Sequence, residues 1–170
     1  MRVWLACFFG FPLAACSVLA GPPGPILAVF DVKEAEFIRH DGKTKIEGHA
    51  FLKQKAGGTL NVAGEVVTLV PATAYARERF EKFYGERKFT ASLPLVEPPP
   101  EYKAFMRTTK TESSGHFEFE KVPPGTYFVA TQMRYQRANS FFSDGGAIYE
   151  SVTVTGKETD DKVKVVVSGS

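Results

Sequence analysis

Three histidines, His40, His49 and His116, are the residues that could begin a metal or general-base site. Their spacing supports neither: H-x-x-E, H-E-x-x-H and H-x-H patterns, which bring metal ligands or acid–base pairs together, are all missing. Each histidine is most simply a surface or turn residue. A nucleophile is no better served, because no G-x-S-x-G elbow exists and both cysteines, Cys7 and Cys16, lie in the first sixteen residues. No catalytic residue, metal or cofactor is therefore expected.

Binding chemistry is better represented. Phe141 and Phe142 stand side by side in a polar stretch, with Tyr135 before them and Tyr149 after. Exposed rings of this kind could stack on a sugar or bury against a protein partner. For the phenylalanine pair the alternative is a flap folded back onto the core. A second aromatic set, Tyr75, Phe80, Phe83 and Tyr84, is either a ligand platform or the packing face of a helix, and the helical spacing favours packing. The basic residues around it, Arg77, Arg79, Lys82, Arg87 and Lys88, are interrupted by Glu78, Glu81 and Glu86. Interleaved signs of that sort read as a solvated face. Lysine plus arginine totals 21 against 19 acidic residues, a net +2, which gives no electrostatic ground for binding nucleic acid.

The elements that would position these residues are strands. Residues 109–130 (TKTESSGHFEFEKVPPGTYFVA) hold two strand patterns and both of their turns. Gly115 follows a short polar run and can enter the left-handed region. Phe117 and Phe119 then alternate with His116, Glu118 and Glu120, the period of a half-buried strand. Pro123, Pro124 and Gly125 reverse the chain, and β-formers Tyr127, Phe128 and Val129 restart it. Further strands are expected at 44–53, 65–70, 102–109, 147–154 and 162–167, with a short apolar candidate at 26–32. The strand over 126–135 is expected to be long, and Gly145–Gly146 to form a turn. Thr73 predicts a helix over 74–84, stopped by Gly85, with Ala76, Phe80 and Phe83 on its apolar face. Residues 94–100 read as a polyproline-like loop. Lys162 and Lys164, alternating with valines, suggest an edge strand protected by charge.

The run Gly115, Phe117, Phe119, Pro124, Gly125, Tyr127 and Val129 resembles the signature of carboxypeptidase regulatory-like domains, transthyretin-like sandwiches found in many bacterial envelope proteins. Glu112 stands where the family often has aspartate. Residues 63–84, in which V-T-L-V-P-A-T runs into an aromatic helix, are similar to a bacterial subgroup of it. The resemblance implies an all-β, Greek-key β-sandwich of about seven strands with one short inserted helix, and the packing reading of the helix over 74–84 has it cap one open end. It implies no activity, because the catalytic partner domain is absent. The related hydroxyisourate hydrolases end in Y-R-G-[ST], where this chain has Val165, Val166, Val167, Ser168, Gly169 and Ser170.

The amino-terminal region predicts export. Arg2 precedes an apolar run over 3–15 that is too short to span a bilayer and reads as a signal segment. Leu13, Ala14, Ala15 and Cys16 resemble the lipobox of bacterial lipoproteins, with Cys16 diacylated as the mature amino terminus; the alternative is an ordinary cut after Ala20. Ser17, at the next position, resembles the sorting pattern for outer-membrane retention. The expected organisation is a signal segment at 1–15, a Pro/Gly tether at 16–25 and a sandwich domain at 26–170. The expected location is the cell envelope, as an outer-membrane lipoprotein facing the periplasm, or else a soluble periplasmic or secreted form. Two roles follow for such a module: protein interaction or structural support through an envelope partner, or carbohydrate binding. Trp4, the only tryptophan, leaves with the signal, which weighs against sugar stacking.

Overall fold

The computed structural model describes residues 24–54, 57–91, 97–136 and 143–169. Asp31 opens the regular structure by accepting the Lys33 backbone N–H at 2.9 Å, capping the single-turn helix α1 (Val32–Ala35). A 3₁₀ turn (Glu36–Arg39) follows. Strand β1 (Thr44–Lys53) alternates buried and half-exposed residues almost to its end, and β2 (Thr59–Asn61) folds back onto it. β3 (Val66–Pro71) leads into α2 (Ala74–Tyr84). Beyond α2 come β4 (Phe89–Thr90), a second single-turn helix α3 (Pro100–Lys103) and β5 (Arg107–Lys110). The long meander β6 (His116–Val122), β7 (Gly125–Gln136) and β8 (Ser143–Val154) precedes β9 (Lys162–Gly169).

These strands form two sheets, one of four strands and one of five, antiparallel throughout except that β9 runs parallel to β1. In the first, β6 pairs with residues 44–49 of β1 and β2 with residues 51–53, while β9 lies along the other edge. The second has the order β4-β8-β7-β3-β5. The Arg107 guanidinium on β5 donates to the Lys121 and Glu120 carbonyls on β6, tying one sheet to the other.

Period-two alternation on the second sheet fills two separate apolar layers. Between the sheets lie Leu69, Val129, Ile148 and Val154 from this sheet, against Ile46, Phe117, Phe119 and Val167 of the first. Their neighbours in sequence, Val70, Phe128, Ala130 and Ala147, point to the outer face and pack under α2 and α3. The five-stranded sheet is thus buried on both sides.

The sandwich architecture is as expected, with differences of detail. Among the described residues nine strands form instead of about seven, the additional pieces being the short β2 and β4, and two single-turn helices accompany α2. The helix does not cap an end: α2 covers the outer face of the second sheet, and the end near the β6–β7 turn is closed by Ala35, Ile38 and Phe37, whose ring lies 5.5 Å from Tyr127. Residues 26–32 make no strand, because their partners lie on α2 and not at a sheet edge. Residues 102–106 are not strand either, since Pro99 and Pro100 start a helical turn that carries Tyr102. Gly145 and Gly146 lie inside β8, opposite Arg134 and Met133. A Cβ at Gly146 would come within 2.3 Å of the Phe89 ring, so this glycine is there for close approach and not for turning.

Candidate functional site

The site is built around α2. Thr73 caps it, accepting the Ala76 N–H at 3.2 Å, and Gly85 ends it at φ +61. Two helical rows one position apart, Tyr75–Arg79 and Ala76–Phe80–Phe83, bring aromatic side chains and one arginine onto the sheet side. Phe80 stacks on Phe128 at 4.6 Å and on Tyr84 at 5.2 Å, and Tyr149 of β8 sets its edge against Phe80 and Tyr84 at 4.8 and 4.7 Å. Burial pushes the Tyr149 phenol up.

The extended segment before α1 straps this helix down. Glu78 accepts the N–H groups of Leu27 and Ala28 at 2.8 and 2.6 Å and pairs with Lys82 at 2.6 Å, while Lys82 also donates to the Pro25 carbonyl. These bonds, Lys82 foremost, hold the Glu78 carboxyl down at about 2. Phe30 then inserts edge-on between Tyr75 and Tyr102, at 6.0 and 5.4 Å.

Between α2, α3 and the outer face of the second sheet lies a cleft of about 400 Å³. That is within the range of small-ligand sites, roughly 300–1,000 Å³. Its floor is Thr68 and Val70 of β3 with Ala130 and Gln132 of β7. Phe80, Phe83 and Tyr84 make one wall, Tyr102 and Met106 the other. Two buried residues with polar side chains are among those lining this mostly apolar space. Arg79 is only 8% exposed, with its guanidinium carbon 4.8 Å over the Phe83 ring. The Tyr102 hydroxyl is buried and has no hydrogen-bond partner among the described residues. Burial pushes the Tyr84 and Tyr102 phenols up, further than the Arg79 charge pulls them back, so both remain protonated donors. At the rim Lys103 pairs with Glu97, which holds the Glu97 carboxyl below its ordinary value. Such an arrangement can orient a neutral or anionic ring-shaped ligand; among the described residues no group of three or more His, Cys, Asp or Glu could hold a metal.

The residues singled out from sequence are distributed as follows. Tyr149 packs half-buried in the aromatic layer and is not among the residues lining the cleft. Tyr135 occupies the β7 rung opposite Asp144. Phe141, Phe142 and Cys16 lie outside the described residues. Gly115 takes φ +83, and a Cβ there would approach the Ala50 carbonyl to 2.5 Å. Phe117, Phe119, Tyr127 and Val129 are core residues, Tyr127 donating to the Pro123 carbonyl at 2.7 Å, and Pro124 and Gly125 make the turn between β6 and β7. His49 and His116 stack at 4.6 Å on neighbouring strands, with His49 bonded to the Ser114 carbonyl. Of the second aromatic set, Phe80, Phe83 and Tyr84 do line the cleft. Sequence reasoning missed Tyr102 altogether and placed Arg79 in solvent. The available signal was spacing: Arg79 is three residues after Ala76 and four before Phe83, in the middle of the apolar stripe.

No protein-family model matches the chain, and no curated protein does. Among solved structures the fold is similar to a candidate carbohydrate-binding protein of Pseudomonas aeruginosa. The TM-score is 0.64 with 26% identity, covering 82% of this chain and 97% of that one. A likeness to the minor pilin of Streptococcus agalactiae is far weaker, with TM-score 0.37 and 15% identity over 76% of this chain and 46% of that one. It bears on nothing further.

Proposed function

We propose that this chain is a non-catalytic, exported β-sandwich module that binds carbohydrate in the cleft between α2, α3 and the second sheet. The observation that carries this reading is the cleft itself, about 400 Å³ over the outer face of the sheet and walled largely by aromatic and apolar side chains. Sugars match the cleft because they offer hydroxyl groups to its polar rim and apolar C–H faces to Phe83 and Met106, both partly buried lining residues. The near full-length likeness to a candidate carbohydrate-binding protein supports the same ligand class.

Membership of the carboxypeptidase regulatory-like family and a lipid anchor at Cys16 belong to the proposal, with the strap over 24–30 leading from that anchor to α2. Cys16→Ser should move the protein from the membrane to the soluble fraction; a variant that stays lipid-labelled contradicts the anchor. The binding reading is tested by co-sedimentation of the full chain with purified sacculi and insoluble polysaccharides. Wild type should pellet with at least one of them and Phe83→Ala should pellet less. Failure to pellet with any contradicts the reading.

A further inference from the structure

The strap over 24–30 (GPILAVF) is apolar on both of its sides, although the protein covers only one. Ile26, Ala28 and Phe30 turn inward and pack into the layer under α2. Leu27 and Val29, between them, are 79% and 87% exposed, and Val32 follows at 46%. Of the five large apolar side chains exposed among the described residues, these are three, within six positions of one another. An extended segment lying between a protein layer and water alternates apolar with polar residues, whereas one apolar on both sides sits between two apolar media. Nor is the strap slack. The Glu78 carboxylate accepts the Leu27 and Ala28 N–H groups, and the Phe30 ring is wedged between Tyr75 and Tyr102, so Leu27 and Val29 are presented from a fastened backbone.

The chain leading into the strap indicates what the second medium is. From Cys16 to Phe30 no residue is charged, Asp31 being the first. Gly24 stands eight residues after Cys16, a tether of at most about 29 Å when fully extended. That is no more than the width of a small domain, about 30 Å, so a lipid on Cys16 would keep the strap side of the sandwich close to the bilayer. Resting on the lipid anchor of the reading above, and independent of the carbohydrate cleft, we infer that the strap is a membrane-docking surface. Leu27 and Val29 enter the interfacial region of the bilayer that holds the Cys16 lipid. Two aliphatic side chains bind a membrane weakly from solution, but the tether holds them at high effective concentration, and their contact then sets the orientation of the domain. The outer layer faces the bilayer. The four-stranded sheet faces away from it, with Val166, 54% exposed, on its outer side between the core residues Val165 and Val167.

Tryptophan fluorescence in vesicles tests this. The full chain is produced by an exporting bacterial host as Leu27→Trp, Val29→Trp or Val166→Trp; cleavage before Cys16 removes Trp4 and leaves the introduced ring as the sole tryptophan. Each protein is reconstituted in phosphatidylethanolamine–phosphatidylglycerol vesicles with or without bromine on the acyl chains, and its mass reads the lipid on Cys16. Bromine quenches only at short range and interfacial apolar groups lie roughly 5–10 Å into the headgroup–acyl boundary, so the brominated lipid should cut emission by about half in Leu27→Trp and Val29→Trp. Val166→Trp should be unaffected. Adding Val29→Asp to the Leu27→Trp protein should remove the quenching and keep the lipid label. Quenching that survives Val29→Asp, or that is equal at Val166→Trp, would come from tethering alone and overturns the docking. So does a blue-shifted emission indifferent to bromine, which would mean that a second copy of the chain covers the strap. A lipidated protein quenched at neither strap position overturns the docking and leaves the anchor in place. A mature protein without lipid on Cys16 overturns both.

Discussion

The two faces of the five-stranded sheet are both covered, by different means. On the inner face aliphatic side chains interlock with the rings of Phe117 and Phe119, and the one buried phenol among the described residues of that layer, Tyr127, donates to the Pro123 carbonyl at 2.7 Å. Over the outer face lie an aromatic helix, a single helical turn and a strap, and there the buried phenol of Tyr102 has no hydrogen-bond partner among the described residues and an arginine is enclosed. Cores close over apolar groups and satisfy the polar ones they trap. A layer that leaves a donor unpaired beside an open cavity is built unlike a core. On the proposed reading, stability and binding are divided between the sides of one sheet.

Three results would break or sharpen that division. Phe119→Ala on the inner face should cost about 3–5 kcal/mol, as for a fully packed phenylalanine, in a denaturant titration; a near-neutral change would place that ring outside the core. The two tyrosines should then part company. Tyr127→Phe leaves the Pro123 carbonyl unsatisfied and should destabilise by about 1–3 kcal/mol, whereas Tyr102→Phe should cost nothing or add stability. Equal losses in both would mean that Tyr102 is structural and that the faces do not differ. A smaller effect comes from the strap. With its carboxyl at about 2 when folded, Glu78 stabilises above the ordinary glutamate value, and that contribution fades as pH falls from about 4.5 through 2. The melting-temperature gap between wild type and Glu78→Gln should close over that interval. A gap that stays constant would mean that the carboxylate is not what fastens the strap.

What the sequence revealed was local. Phe117 and Phe119 alternate with charges, Thr73 and Gly85 bracket α2, and Gly115 marks a left-handed turn, because each signal is complete within a few residues. The outer layer was hidden because its logic is long-range. Residues 26–32 look like a strand, yet the groups that satisfy their backbone sit fifty residues away on Glu78. Tyr102 reads as β-former, but two prolines before it start a helical turn. Arg79 looks solvated among glutamates until the sheet supplies Phe128 and Ala130 for its stripe to lie on. Gly145 and Gly146 read as a turn because close approach of Phe89 cannot be seen from composition. The aromatic set on α2 and the polar residue within its apolar stripe are the signs of the cleft that the chain carried openly.

The central claim, that the outer face is the ligand face, is tested most directly by mapping backbone amide shifts while oligosaccharide is added to the full chain. The account predicts perturbations clustered at Thr68, Phe83, Met106, Ala130 and Gln132, with Val129, Leu69 and the rest of the inner layer unmoved. Shifts confined to the stretch holding Phe141 and Phe142, or no shifts with any oligosaccharide, would contradict it.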